Sequence, residues 1–134
     1  VSAEQIQQTE QIMDAVGTSL WVEKEAQIDT VTALSGSGPA YFFMFMEYLQ
    51  EAAEQLGLEP ADAALLTRKT AIGAALLAER SPETLATLKQ RVTSPNGTTA
   101  AALACFDQLL IDQVIKQAIT AAHDRSKELS QEFD

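Results

Sequence analysis

The 134 residues include only one cysteine, Cys105, and one histidine, His123. That count excludes an internal disulfide and the usual Cys/His zinc cluster, so no structural metal is expected. Basic residues are scarce as well: nine Lys and Arg stand against nineteen Asp and Glu, leaving a net charge of -10 and a pI near 4.4. Such a chain repels phosphate backbones and anionic lipid, which argues against nucleic acid and membranes as partners. No apolar run approaches the roughly 18 residues of a membrane span, and the opening residues lack the basic and then apolar order of a signal peptide. The expected compartment is the cytoplasm. Gly and Pro, six and four in number, are isolated, which leaves no room for a low-complexity segment or an interdomain linker.

What is present is one domain's worth of core-forming material: 14.5 kDa, 46% hydrophobic and 21% charged. Apolar positions recur at three and four residues, and Ala, Leu, Gln and Glu dominate, so the period is helical and the expected fold is all-α. Ser2 stands three residues before Gln5, a capping-box pattern that opens a helix over residues 3 to 16, stopped by Gly17. The run Ser19-Leu20-Trp21-Val22-Glu23 is β-branched and aromatic, but it has no partner strand and reads as an extended connector. Asp29 is placed to cap a short helix through Leu34. Two glycines and Pro39 in Ser35-Gly36-Ser37-Gly38-Pro39 then force a break or kink.

From Pro39 to Leu56 the order Tyr41, Phe42, Phe43, Met44, Phe45, Met46 leaves no polar face in the first half, the mark of a helix enclosed on every side. A small domain rarely encloses a helix so completely, so a second copy of the chain is expected to cover the excess. Gly57 ends that helix, and Pro60 starts another to about Glu79. Ser81-Pro82-Glu83 restarts the chain as a helix to about Arg91. A further helix begins at Thr98 and runs toward Phe106, and a long amphipathic one spans about Leu110 to Leu129.

Gly36-Ser37-Gly38 fails as a dinucleotide fingerprint, because no strand precedes it and Tyr41 stands where the third glycine is needed. No Gly-Lys-Ser or Gly-Lys-Thr occurs, so this chain is not expected to hold a nucleotide. His123 beside Asp124 and Arg125 reads as a solvated helix residue, and Cys105 beside Leu103 and Phe106 as an inert, buried thiol. The segment Val92-Thr93-Ser94-Pro95-Asn96-Gly97-Thr98-Thr99 is different. Ser94, Thr98 and Thr99 bring hydroxyls, Gly97 permits close approach, and the amides that open the next helix lack intrahelical acceptors. A small carboxylate suits such an end; simple helix capping by Ser94 or Thr98 is the competing reading.

That segment, continued through Ala100-Ala101-Ala102-Leu103-Ala104-Cys105-Phe106-Asp107, resembles the signature of the pyrroline-5-carboxylate reductases. Ala33-Leu34-Ser35-Gly36-Ser37-Gly38-Pro39-Ala40-Tyr41 is similar to the family's other familiar stretch. Asn96 departs from the glycine that most members carry, although asparagine also tolerates a left-handed backbone. The resemblance implies that residues 1–134 are the C-terminal dimerisation and substrate-binding domain, with the N-terminal dinucleotide-binding domain absent from this chain. It further implies an all-helical half similar to the C-terminal domain of 6-phosphogluconate dehydrogenase, an interlocked homodimer and, in related enzymes, higher assembly.

The implied reaction is hydride transfer from NADPH or NADH to 1-pyrroline-5-carboxylate, giving proline, with the cofactor bound mainly by the other domain. By the same resemblance the substrate carboxylate rests on amides around Gly97 and Thr98 with Ser94 assisting, Asn96 shapes the loop, and the Thr99 hydroxyl meets the ring nitrogen as the catalytic group. This half alone is expected to be inactive. A non-catalytic helical oligomerisation or ligand-sensing module is the alternative, for which the aromatic helix speaks equally.

Overall fold

The computed structural model describes residues 1–132, and every regular element among them is helical, as expected. In chain order these are α1 (Ala3–Asp14), α2 (Gln27–Val31), a π-helical turn (Thr32–Gly36), α3 (Gly38–Gln55), α4 (Pro60–Arg80), α5 (Leu85–Arg91), α6 (Thr98–Gln108) and α7 (Ile111–Glu132). The capping box at the start of α1 is complete. The Gln5 amide donates to Ser2 Oγ at 3.2 Å and the Ser2 amide to Gln5 Oε1 at 2.8 Å, an arrangement whose Ser-to-Ala loss costs about 1 kcal/mol. The helix ends at Asp14, two residues early, with the Gly17 amide turning back to the Met13 carbonyl at 3.1 Å.

Asp29 does not cap α2. That helix has Ala26 at its N-cap and no side-chain cap, and Asp29 sits inside the first turn. Its carboxylate accepts from the Ser126 hydroxyl at 2.7 Å, a bond that ties α2 to α7 across 97 residues. The break expected at the glycines and Pro39 is a widening of the helix instead. The Ser37 amide donates to the Thr32 carbonyl at 2.9 Å, five residues back, before α3 resumes with Pro39 in its first turn. The Tyr41 hydroxyl donates to the Ala33 carbonyl at 3.2 Å and so braces this turn from α3.

Helices α3 and α4 form a hairpin around Gly57, whose φ of 97° suits a residue without a β-carbon. α7 lies against α2 and the π-turn, and α6 against α7. Phe45 and Phe106, with ring centroids 6.4 Å apart, join α3 to α6. Helix α5 starts at Leu85, four residues after the expected restart, because Thr84 is the cap: its hydroxyl accepts from the Thr87 amide at 3.2 Å.

Burial is slight. Only Ala33, Gly38 and Ala63 are buried among the described residues, whereas Phe42 is 72% and Phe43 66% exposed. The accessible surface is 11147 Å², against about 6,900 Å² for a compact monomer of 14.5 kDa. The surplus, roughly 4,000 Å², is several times the ~800 Å² that each partner contributes to an ordinary stable interface. Much of the apolar material of α3, α4 and α7 therefore faces outward from the single chain, including the first half of α3 that the sequence marks for enclosure.

Candidate functional site

The segment between α5 and α6 is built by local geometry. Asn96 has φ 58°, the left-handed conformation that asparagine adopts at modest cost, and this turns the chain so that the Gly97 amide donates to the Ser94 carbonyl at 3.1 Å. Gly97, at φ -83° and ψ 176°, is the N-cap of α6, and no side chain caps that helix. The capping reading of Ser94 and Thr98 is thereby removed. A β-carbon on Gly97 would collide with Ser94 Oγ, so the serine hydroxyl lies over the glycine and beside the helix end.

The first bond inside α6 runs from the Ala101 amide to the Gly97 carbonyl at 3.1 Å. Among the described residues the amides of Thr98, Thr99 and Ala100 have no acceptor, and the hydroxyls of Ser94, Thr98 and Thr99 have no hydrogen-bond partner. The free donors thus begin one residue later than expected, since the Gly97 amide is engaged. Ser94, Asn96 and Thr98 are exposed, Gly97 and Thr99 half-buried. Each site residue named from the sequence lies in this one turn.

Charge around the turn differs from the chain's average. Lys89 and Arg91 occupy the last turn of α5, immediately before it, and Arg91 is paired with Glu83, whose other carboxylate oxygen is shielded and unpartnered. This pair, which sequence reading missed, anchors the start of the loop; eight residues separate its members, beyond helical spacing. The helix dipole adds partial positive charge at the α6 end. The arrangement is suited to a small anion held by amides, with hydroxyls at its flank.

A groove of about 700 Å³ lies elsewhere, between α3 and α4, lined by Glu47, Glu51 and Glu54 among others. Its carboxylates repel an anionic ligand, so its size does not make it the site. The α6 turn is an open ledge in the single chain and lacks the enclosing walls of a small-molecule pocket. Among the described residues no group of His, Cys, Asp and Glu is arranged to hold a metal, and no single helix is long and apolar enough to cross a membrane. Among the described residues no strand leads into a glycine-rich turn. His123 is half-buried and bonded to Asp124 at 3.0 Å, and Cys105 is exposed, contrary to the buried thiol expected.

All-helical, with its apolar faces outward and free amides at one turn, the chain has the build of an oligomerisation domain. Residues 25–129 match the family described as pyrroline-5-carboxylate reductase dimerisation, and the chain belongs to that family. A pyrroline-5-carboxylate reductase from Pseudomonas aeruginosa is 50% identical over 133 residues, covering 99% of this chain and 49% of the relative. The structure of the Coxiella burnetii reductase superposes with a TM-score of 0.92 at 48% identity, over 96% of this chain and 48% of that one. The Plasmodium falciparum enzyme, solved with NADP bound, gives 0.86 at 29% identity over 96% and 48%. The chain therefore spans about half the length of the relatives it matches.

Proposed function

We propose that this chain is the dimerisation and substrate-holding half of a reductase that converts 1-pyrroline-5-carboxylate to proline with NADPH or NADH. The observation that carries the reading is the uncapped start of α6, where three amides and three hydroxyls are left for a ligand. The substrate carboxylate accepts from the Thr98 and Thr99 amides with the Ser94 hydroxyl at its side. The Thr99 hydroxyl then bonds the ring nitrogen. Bound nicotinamide would supply the hydride to the imine carbon; the ring nitrogen, entering as the protonated iminium, keeps its proton and takes a second from solvent to leave as the ammonium of proline. The chain's own work is to fix the ring and favour that redistribution of charge, which explains why no His or Cys is required.

Magnitudes place the limits of the isolated half. Two charge-assisted bonds contribute about 1.5–3 kcal/mol each, and association costs at least ~4 kcal/mol, so the open ledge binds a ring carboxylate only weakly. The dinucleotide-binding half and a second copy of the chain supply the missing walls and bury the roughly 4,000 Å² surplus. The alternative of a helical pairing or ligand-sensing module shares the outward apolar faces, and a sensing module would use the free amides and hydroxyls as well; what separates it is that it gains no proline-forming activity when joined to a cofactor domain.

The test uses a chimera in which this chain replaces the 133 matched residues of the Pseudomonas aeruginosa relative. Thr99→Ala should lower turnover by on the order of tenfold to a thousandfold, with Cys105→Ala at full activity. Full activity in Thr99→Ala would remove the assignment.

A further inference from the structure

Asn96 is the sole asparagine of the chain, and a glycine follows it. Its side chain is exposed and has no hydrogen-bond partner among the described residues. Pro95 and Asn96, the latter at φ 58°, hold the two central positions of a type II turn, which the Gly97 amide closes by donating to the Ser94 carbonyl at 3.1 Å. An unengaged carboxamide therefore stands one residue before a peptide nitrogen that no β-carbon shields. The turn bond is all that occupies that nitrogen's proton. In an exposed turn such a bond keeps the amide closed only about fivefold more often than open, so it slows chemistry at the nitrogen without preventing it.

We infer that Asn96 is a site of spontaneous covalent modification, in which its side chain cyclises onto the Gly97 nitrogen and the neutral turn becomes an acidic one. When the turn opens, hydroxide removes the Gly97 amide proton and the nitrogen attacks Cγ of Asn96. The new carbon–nitrogen bond closes a five-membered imide, and the side-chain nitrogen takes a proton from water and leaves as ammonia. Water then adds to one imide carbonyl and breaks the carbon–nitrogen bond there, so the net change consumes one water and releases one ammonia. Opening at the former side-chain carbonyl gives an aspartyl residue. Opening at the main-chain carbonyl gives an isoaspartyl residue, whose backbone runs through the β-carbon. Either product sets a carboxylate beside the free Thr98 and Thr99 amides. Its effect on the ligand rests on the proposed function: the new charge repels the acid seated there, and affinity falls by about tenfold. The isoaspartyl form also loses the turn that sets the start of α6.

Intact mass follows the reaction, because with a single asparagine the amide-to-acid increase reports one position, and peptide mapping separates aspartyl from isoaspartyl chains. The comparator is a synthetic peptide of residues 92–99. The folded chain should convert within about tenfold of the peptide's rate, with the rate rising in proportion to hydroxide, and Asn96→Gly should gain no mass. Conversion more than about a hundredfold slower than the peptide, a rate indifferent to pH, or an equal gain in Asn96→Gly would each overturn the inference. The consequence is read in the chimera, each sample against its own fresh activity. Incubation should lower proline formation in the parent and spare Asn96→Gly. Undiminished activity in a fully converted parent sinks the effect on the ligand, whereas a fresh chimera that makes no proline sinks the proposed function and leaves the mass reading to decide the modification.

Discussion

The hydroxyl of Ser94 fills the space into which a β-carbon on Gly97 would project, and the Ser94 carbonyl accepts the Gly97 amide at 3.1 Å. The backbone of Gly97, at φ -83°, is open to any residue, so the glycine is required by its neighbour and not by its conformation. In Gly97→Ala the serine side chain must rotate away, and the Ser94 carbonyl, 3.2 Å from the new carbon, must yield slightly. Stability should change by less than about 1 kcal/mol, while affinity for a ring carboxylate falls about tenfold. Calorimetric unfolding and titration of proline separate the two. An unchanged affinity would show that Ser94 takes no part in holding the acid.

Asn96 supplies the left-handed corner, at φ 58°. Replacing it with alanine, which has the same β-carbon but lacks the short polar side chain that makes the left-handed region accessible to asparagine, should cost about 1 kcal/mol. Glycine enters that region without strain but frees the unfolded chain, so Asn96→Gly should stay within a few tenths of a kcal/mol of the parent. Denaturant unfolding of the two variants checks the order, and an alanine variant as stable as the parent would contradict the strain account.

These residues also mark what the sequence could and could not reveal. The capping box of Ser2 and Gln5, the proline starts of α3 and α4 and the left-handed Asn96 depend on a few adjacent residues, and each was legible. Asp29 was not, because its carboxylate is claimed by Ser126, 97 residues away, where no local pattern reaches. The sequence pointed to Ser81-Pro82-Glu83 as the start of α5, but Thr84 is its cap. Thr84 prevails while Glu83 engages Arg91, and the Ser81 hydroxyl accepts the Glu83 amide at 3.2 Å. The site was legible as a turn, but the loss of the Gly97 amide to the Ser94 carbonyl depends on backbone angles that composition does not give.

Phe42 is 72% exposed on α3, a helix whose first half has no polar face. If a second copy covers it, Phe42→Asp places an unpaired charge in that interface, at a cost of several kcal/mol, whereas Phe42→Leu keeps the surface apolar. Sedimentation at micromolar concentration should find the parent and Phe42→Leu at twice 14.5 kDa and the aspartate variant at the single mass or unfolded. A dimer undisturbed by Phe42→Asp would place the contact on other faces.

Asp112, in the first turn of α7, accepts from Lys116 Nζ at 2.9 Å, and this hydrogen bond, more than the lysine's charge, holds its carboxyl below the ordinary 3.8. A carboxyl with a lowered folded pKa contributes stability above its unfolded value, and that contribution is lost as pH falls through the folded value. The pair is fully exposed, so the effect is small and screened by salt. Lys116→Met should therefore melt slightly below the parent at about pH 6, with the difference closing toward about pH 3 as Asp112 protonates in both proteins. About 1 M salt at the higher pH should shrink the same gap. A difference that persists unchanged at low pH would assign the lysine's effect to the packing of its stem on α7 instead of to the ion pair.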